Sequence, residues 1–286
     1  MEIIIGKTAG FCFGVANAVN KTSKLLDENN NICCLGELVH NKQVTKELED
    51  KGLKFIDDIS QAQKDVIIRA HGEKRQTYDK AKEMELNLID LTCPKVTKIH
   101  KIAEEYVNKG YYIFLIGNKE HPETIGTISY CGENSYIIEK EDDVEQALKA
   151  IYNSKMKKLI IIEQTTFSLD RFSKIIDLIS KEIEDKNIEL EVRKTICDAT
   201  RLRQEETKKL STQVGMMIII GGKHSSNTNK LYEISKVNCK NSILIETSGE
   251  INLEEVKKYN KIGIMAGAST PQKSIDSLVE MLKQLC

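Results

Sequence analysis

The stretch TCPKVTKIHKIAEEYVNKGYYIFLIGNKEHPE, residues 92–123, contains the pattern that decides the fold. Its cysteine, Cys93, is followed by an amphipathic helical pattern over residues 96–108 and then by an apolar run over residues 112–116. Gly117 comes directly after that run, and the polar trio His121-Pro122-Glu123 follows four residues later. This order predicts one α/β unit whose polar groups lie at the carboxyl end of a strand.

The same spacing occurs in two other parts of the chain. A cysteine is followed 24 residues later by a glycine and 28 residues later by the start of a polar trio. The three copies begin at Cys12, Cys93 and Cys197; their glycines are Gly36, Gly117 and Gly221, and their trios are His40-Asn41-Lys42, His121-Pro122-Glu123 and Ser225-Ser226-Asn227. A fixed spacing in three segments indicates a repeated structural unit.

The remaining pattern predicts parallel α/β layers, because short apolar runs alternate with amphipathic helical stretches. Strands are expected at residues 3–5, 32–35, 66–68, 88–91, 112–116, 159–162, 217–220, 243–245 and 262–265. We expect three α/β lobes, residues 1–93, 94–195 and 196–286, divided where the repeat restarts. Since strand-end loops line the ligand crevice of such layers, inward-facing edges would place three thiols around one central site.

The bulk composition argues against several partners. The formal net charge of the 286 residues is −1, which gives no basic excess for nucleic acid or an anionic membrane. The N-terminal residues lack the pattern of a signal peptide, and no apolar run approaches the roughly 20 residues that span a bilayer. We therefore expect a soluble cytoplasmic protein that binds neither nucleic acid nor membranes.

Eight cysteines in an intracellular chain indicate ligands, reactive groups or small core residues rather than disulfides. Thiolates are soft ligands that favour iron–sulfur clusters, zinc and copper(I). Three of them can hold a [4Fe–4S] cluster, leaving one iron open to substrate. Cys33 and Cys34 are expected in the core, and no chemistry is assigned to Cys131, Cys239 and Cys286.

The polar residues that accompany the cysteines suit an anion. They offer many hydrogen-bond donors and little fixed charge, and nearby helix N-termini add backbone amides that suit phosphate groups. The set comprises His40, His71, His121, Ser225, Ser226, Asn227 and Ser269. Glu123 is the one carboxylate within the three trios, and it is the candidate proton donor.

Two other classes of function fit parts of this pattern. A zinc-dependent phosphohydrolase would use histidine and cysteine ligands beside a polar phosphate pocket, and it would be colourless. A non-catalytic phosphate-binding protein would explain the trios but gives no reason for three equivalent thiols. Iron and sulfide content of an anaerobic preparation separates both from a cluster enzyme.

Taken together, the motifs resemble those of the 4-hydroxy-3-methylbut-2-enyl diphosphate reductase family over nearly the whole chain. The matching segments are Gly10-Phe11-Cys12-Phe13-Gly14-Val15, Val39-His40-Asn41, Arg69-Ala70-His71-Gly72, Thr92-Cys93-Pro94, His121-Pro122-Glu123, Gln164-Thr165-Thr166, Ile196-Cys197, Ser225-Ser226-Asn227 and Ala266-Gly267-Ala268-Ser269. Each motif alone is weak, but their order and spacing make the set specific.

The resemblance implies a three-lobed α/β cloverleaf with pseudo-threefold symmetry around one [4Fe–4S] cluster per chain. It implies that the cluster is bound by Cys12, Cys93 and Cys197, that Glu123 delivers protons, and that ferredoxin or flavodoxin donates electrons. The implied reaction is reductive dehydroxylation of (E)-4-hydroxy-3-methylbut-2-enyl diphosphate to isopentenyl and dimethylallyl diphosphates, the last step of the methylerythritol phosphate pathway. The implied diphosphate ligands are His40, His71, His121, Thr165, Ser225, Ser226, Asn227 and Ser269.

Overall fold

A computed structural model describes residues 1–29 and 31–285, and within them the chain forms three parallel sheets of four strands each, with helices between the strands. This confirms the predicted α/β class. The strands are β1 (Glu2–Ile5), β2 (Ile32–Leu35), β3 (Lys54–Ile56), β4 (Asp65–Ile68), β5 (Asn87–Asp90), β6 (Tyr112–Ile116), β7 (Ser135–Ile138), β8 (Lys158–Glu163), β9 (Glu189–Val192), β10 (Met216–Ile220), β11 (Ser242–Ile245) and β12 (Lys261–Ala266).

The helices connect successive strands, as parallel pairing requires. They are α1 (Phe13–Glu28), α2 (Lys42–Asp50), α3 (Arg75–Glu83), α4 (Pro94–Asn108), α5 (Pro122–Ile128), α6 (Val144–Ser154), α7 (Leu169–Ile183), α8 (Asp198–Ser211), α9 (Ser226–Asn238), α10 (Leu253–Val256) and α11 (Gln272–Lys283). None of the described helices is long and apolar enough to cross a membrane.

The three sheets share one strand order. Along the chain, two of them run β3-β2-β4-β5 and β7-β6-β8-β9, and the last runs β11-β10-β12-β1. The fourth place in the last sheet is therefore taken by the N-terminal strand, in register from Glu2 opposite Lys261 to Ile5 opposite Ile264. In each sheet the strand in this fourth place leads through a cysteine-containing connection into a helix.

By contacts, the chain divides into two compact units. The first unit comprises Met1–Asp27, Glu37–Gly52 and the residues from Asp198 onward, and it contains the sheet of β1, β10, β11 and β12. The second comprises Glu28–Gly36 and Leu53–Cys197, with the other two sheets. The lobe boundaries at residues 93 and 195 stay a prediction, and the pairing of β1 adds the N-terminal strand to the sheet of the last third.

Each core lies on the faces of the central strands. All five residues of β6 and of β10 are buried, because helices cover both faces of a parallel sheet. In the second unit, one cluster packs β6 and β8 against α6 and α7, and another packs the opposite face against α4. In the first unit, α11 covers one face of β10 and β12, while Leu210 and Leu231 cover the other.

Candidate active site

The three repeated cysteines have the same local structure. In each copy a helix begins at the next residue: α1 after Cys12, α4 after Cys93 and α8 after Cys197. In each copy the cysteine N–H also donates a hydrogen bond to a carbonyl that follows the neighbouring strand, and the acceptors are Ala268 at 3.1 Å, Ala70 at 3.0 Å and Thr165 at 3.1 Å. All three thiols are half-buried.

This location suits a reactive or metal-binding thiol. The N–H groups in the first turn of a helix carry partial positive charge, and cysteine thiolates are ligands of iron–sulfur clusters, zinc and copper(I). By contrast, burial raises the pKa of Cys34 and of Cys131 to about 12, so both remain protonated thiols in the core. Cys33, half-buried on β2, also has its pKa raised by burial, and Cys286 lies outside the described residues.

The loop that leads to Cys12 is held by α8 within the first unit. The buried guanidinium of Arg203 donates to the carbonyls of Thr8 and Gly10, both at 2.8 Å. One turn later, the Glu206 carboxylate accepts the N–H groups of Lys7 at 2.7 Å and Thr8 at 2.8 Å. The role of Arg203 and Glu206 could not be predicted from the sequence, because charged residues on a helix usually face solvent.

Each polar trio lies at the start of a helix, in the loop that follows β2, β6 or β10. Asn41 caps α2 by accepting the N–H groups of Gln43 and Val44, and Ser225 caps α9 by accepting that of Thr228. His121 caps α5, whose first residue is Pro122, a residue well suited to that position. The trios therefore lie at helix N-termini, where anions bind readily.

Glu123 is enclosed within the second unit and is only 2% exposed. Its carboxylate accepts two hydrogen bonds from Thr165, one from the backbone N–H and one from the hydroxyl, both at 2.6 Å. These bonds favour the ionised form, but burial outweighs them and raises the pKa of Glu123 to about 7. A carboxyl with this pKa can hold a proton at neutral pH and release it to a substrate.

Two predicted histidines lie side by side in the same unit. The rings of His71 and His121 are 5.3 Å apart between centroids and perpendicular to each other. Nδ1 of His121 accepts the N–H of Glu123 at 3.2 Å, so the proton of a neutral ring lies on Nε2. The backbone of Glu123 thus orients His121, while its side chain is held by Thr165.

In the first unit, the backbone carbonyl of His40 contacts Ser269 and lies close to Gly222. The Ser269 hydroxyl donates to the His40 carbonyl at 3.1 Å. The same carbonyl lies so close to Gly222 that a Cβ atom there would be 2.4 Å from its oxygen. The Nδ1 atom of His40 also lies 3.6 Å from the Glu37 carboxylate. Only glycine fits at residue 222 without displacing His40.

Asn227 has the hydrogen-bonding capacity to bind a ligand. It is 3% exposed, and neither atom of its amide group has a hydrogen-bond partner among residues 1–29 and 31–285. A buried amide left without partners costs free energy, so a group that accepts from its NH₂ would be bound favourably.

The predicted site residues are thus divided between the two units. Cys12, His40, Ser225, Ser226, Asn227 and Ser269 belong to the first, and His71, Cys93, His121, Glu123, Thr165 and Cys197 to the second. Besides Arg203 and Glu206, sequence reasoning missed Glu163, a fully buried carboxyl two residues before Thr165. Burial raises the pKa of Glu163 to about 7.

Repeated cysteines before helices and polar trios at helix N-termini define an α/β protein with the features of a metal- and anion-binding enzyme. The LytB protein family model matches residues 3–283, so the chain belongs to that family.

The proteins to which this chain is similar are described as diphosphate reductases. The chain is 41% identical over 288 residues to a 4-hydroxy-3-methylbut-2-enyl diphosphate reductase of Clostridioides difficile, and 39% identical over 289 residues to one of Alkaliphilus oremlandii, with all of each chain covered. A solved structure of the E-1-hydroxy-2-methyl-but-2-enyl-4-diphosphate reductase from Plasmodium falciparum superimposes with a TM-score of 0.89 at 31% identity, covering 99% of this chain and 88% of that one. A second, at 36% identity and a TM-score of 0.71, is described as the terminal enzyme of the non-mevalonate pathway and covers 99% and 100% of the two chains.

Proposed function

We propose that the chain reduces (E)-4-hydroxy-3-methylbut-2-enyl diphosphate to isopentenyl and dimethylallyl diphosphates, the last step of the non-mevalonate route to isoprenoids. The observation that carries the proposal is the shared local structure of Cys12, Cys93 and Cys197, in a chain that matches the LytB family from residue 3 to residue 283. Relatives matched over their full length bear the name of this reductase.

Cys12, Cys93 and Cys197 would hold one [4Fe–4S] cluster per chain. The donor set fits, because all three thiols are half-buried at helix starts, whereas Cys34 and Cys131 are buried thiols with raised pKa values. When bound, a cluster with three cysteine ligands supplies electrons and one iron that is open to the substrate hydroxyl.

The diphosphate would be bound by neutral donors and histidines rather than by lysine or arginine. The proposed ligands are His40, His71, His121, Thr165, Ser225, Ser226, Asn227 and Ser269. The strongest support comes from Asn227, whose buried amide has no hydrogen-bond partner among the described residues, and from Ser225, which caps α9 beside it. Helix N-termini at the trios add backbone donors to these side chains.

Glu123 would supply the proton that the departing hydroxyl requires. Removing a hydroxyl as water consumes one proton, and forming the new C–H bond of the product consumes another. Glu123 is protonated at neutral pH for about half of the time, since burial raises its pKa to about 7. Its bonds to Thr165 fix the carboxyl in one orientation, which is what a proton donor needs.

The electrons would come from a ferredoxin or flavodoxin, since the reaction consumes two electrons. The proposed compartment is the cytoplasm, where thiols are kept reduced.

The test is an anaerobic preparation assayed with a small-molecule reductant. We expect a brown protein with about four iron and four sulfide per chain, which converts the substrate to both products. A colourless protein that contains zinc and releases phosphate from the substrate would instead identify a phosphohydrolase and reject the proposal.

A further inference from the structure

Glu163 is a carboxylic acid in a position that is apolar in the other two copies of the repeat. It is the last residue of β8 and is 0% exposed. Counting two residues back from the carbonyl that accepts each cysteine N–H gives Ile68, Glu163 and Ala266, and all three are 0% exposed. Burying a carboxyl group at this position costs free energy, whereas burying an isoleucine or an alanine there does not. Glu163 therefore needs a reason of its own.

The connection that Glu163 contacts, which leads to Cys197, is longer than the one that leads to Cys93. β5 ends at Asp90, three residues before Cys93, whereas β9 ends at Val192, five residues before Cys197. The two additional residues bring additional backbone N–H and C=O groups next to the sheet, and buried groups of this kind require partners. The regular hydrogen-bond ladder between two parallel strands does not supply partners for these additional groups.

Glu163 supplies the partners with both its side chain and its backbone. Its Oε1 accepts the N–H of Ile196 at 3.2 Å, directly before Cys197. Its N–H donates to the hydroxyl of Thr195 at 2.7 Å, and that hydroxyl donates in turn to the carbonyl of Glu163. The segment 195–196 is thus fixed to one residue by three hydrogen bonds.

The next bonds extend this contact in both directions. The N–H of Cys197 donates to the Thr165 carbonyl at 3.1 Å, and the N–H and hydroxyl of Thr165 donate to Glu123. A continuous series of hydrogen bonds therefore joins Cys197, through Thr165, to Glu123. Glu163 holds Thr195 and Ile196, which lie directly before Cys197 at one end of this series.

We propose that Glu163 is the positioning residue of Cys197: it holds the 195–197 connection so that the thiol is presented for ligation. The inference rests on the proposed function, because it gives Cys197 the role of a ligand. Glu163 itself acts through Ile196 and Thr195 and has no direct role in the reaction.

The test compares three variants in the cluster-free chain: Glu163→Ala, Glu163→Gln and Thr195→Val. The readout is the rate of alkylation of Cys197 by iodoacetamide relative to that of Cys12 in the same sample, followed by peptide mass. Glu163→Ala should raise this ratio about fivefold, which corresponds to the roughly 1 kcal/mol net contribution of one hydrogen bond. Glu163→Gln keeps an acceptor for Ile196 and should restore the wild-type ratio, while Thr195→Val should raise it.

Iron retention gives a second readout. After reconstitution, Glu163→Ala and Thr195→Val should lose iron to a chelator faster than the wild type, and Glu163→Gln should not. Ile160→Ala is the matched control, because it removes a fully buried side chain of the same strand that belongs to the core cluster with α4. It should lower stability and leave the alkylation ratio unchanged.

An unchanged ratio and unchanged iron retention in both Glu163→Ala and Thr195→Val would overturn the inference. If Glu163→Ala does not fold, Thr195→Val and Glu163→Gln still decide, because Thr195→Val removes only the hydroxyl. Failure of the proposed function would look different: the wild type itself would bind no iron, while the alkylation ratio would still respond to Glu163.

Discussion

Glu123 is a carboxyl group enclosed by protein, and it should matter for proton transfer more than for binding. Glu123→Gln keeps the size and accepts from Thr165 but cannot donate a proton. We expect the variant to keep its iron and its affinity for substrate, while turnover falls by about 10²–10⁴. Steady-state turnover, substrate affinity and cluster absorbance measure the three quantities.

The matched control is Glu120→Gln, which changes an exposed carboxyl three residues earlier in the same loop. It should leave turnover unchanged. Near-normal turnover in Glu123→Gln would mean that the proton comes from water or from the substrate's own phosphate.

The raised pKa of Glu123 also has a consequence for stability. The ordinary value is 4.5 and the folded value is about 7, so between these pH values the folded chain holds a proton that the unfolded chain has released. The stabilisation is complete below about pH 4.5 and is lost as the pH rises through 7. We expect the free energy of unfolding of the cluster-free wild type to fall over this range by on the order of 3 kcal/mol for this group.

Urea unfolding at several pH values tests this. In Glu123→Gln the decrease should be smaller, leaving mainly the part that Glu163 contributes, whose pKa is also about 7. Parallel curves for the wild type and the variant would show that Glu123 does not titrate in this range.

At the scale of the element, the helix start after each repeated cysteine predicts equal roles for the three thiols. Replacing Cys12, Cys93 or Cys197 with serine exchanges a soft thiolate for a poor hydroxyl ligand, so iron content and turnover should collapse together. Cys131→Ser is the control, since this thiol is 1% exposed and bonds the Thr127 carbonyl in the core. Full iron loading in all three ligand variants would disprove the cluster assignment.

The loop between β10 and α9 depends on the close approach of Gly222 to His40. In Gly222→Ala the new Cβ would lie 2.4 Å from the His40 carbonyl, so that carbonyl and its contact with Ser269 must move. We expect KM for the substrate to rise at least about tenfold, because small misplacements of binding groups are costly. Gly249→Ala, where the nearest atom is 3.8 Å away, should have no effect.

The elements also mark how far sequence reasoning reaches. All nine strands expected from apolar runs are present, whereas β3, β7 and β9 were missed. These three are edge strands, partly exposed, and their sequences mix charged or polar residues with apolar ones. The edge position alone does not explain why they were missed, because β1, β5 and β11 are edge strands too and were expected from their apolar runs.

Helix starts and buried charges were harder to predict. The helix α8 begins at Asp198, and its first turn contains only one small apolar residue, Ala199, so the apolar pattern gives little sign of where this helix starts. Arg203, Glu206 and Glu163 were missed for a related reason: a charged residue is read as exposed unless its partner is known, and their partners lie on other elements. The repeated spacing, by contrast, was sufficient to find three cysteines that each directly precede a helix.

For the molecule as a whole, the position of β1 predicts that losing this strand destabilises one unit and not the other. Deleting residues 1–5 removes the strand that pairs with β12, exposing one edge of that sheet. We expect backbone amides of β10 and β12 to lose protection from hydrogen exchange, while those of β6 and β8 in the other unit keep it. Equal loss of protection in both units would indicate that they unfold as one.

The same pairing sets an order of events during synthesis. Among the strands of residues 1–29 and 31–285, β1 is synthesised first and its partner β12 is synthesised last. At about 5–20 residues per second, β1 must wait on the order of tens of seconds without a strand to pair with. The sheets of the second unit, whose strands are translated consecutively, can form during that time. The sheets of the second unit therefore form before β1 pairs with β12.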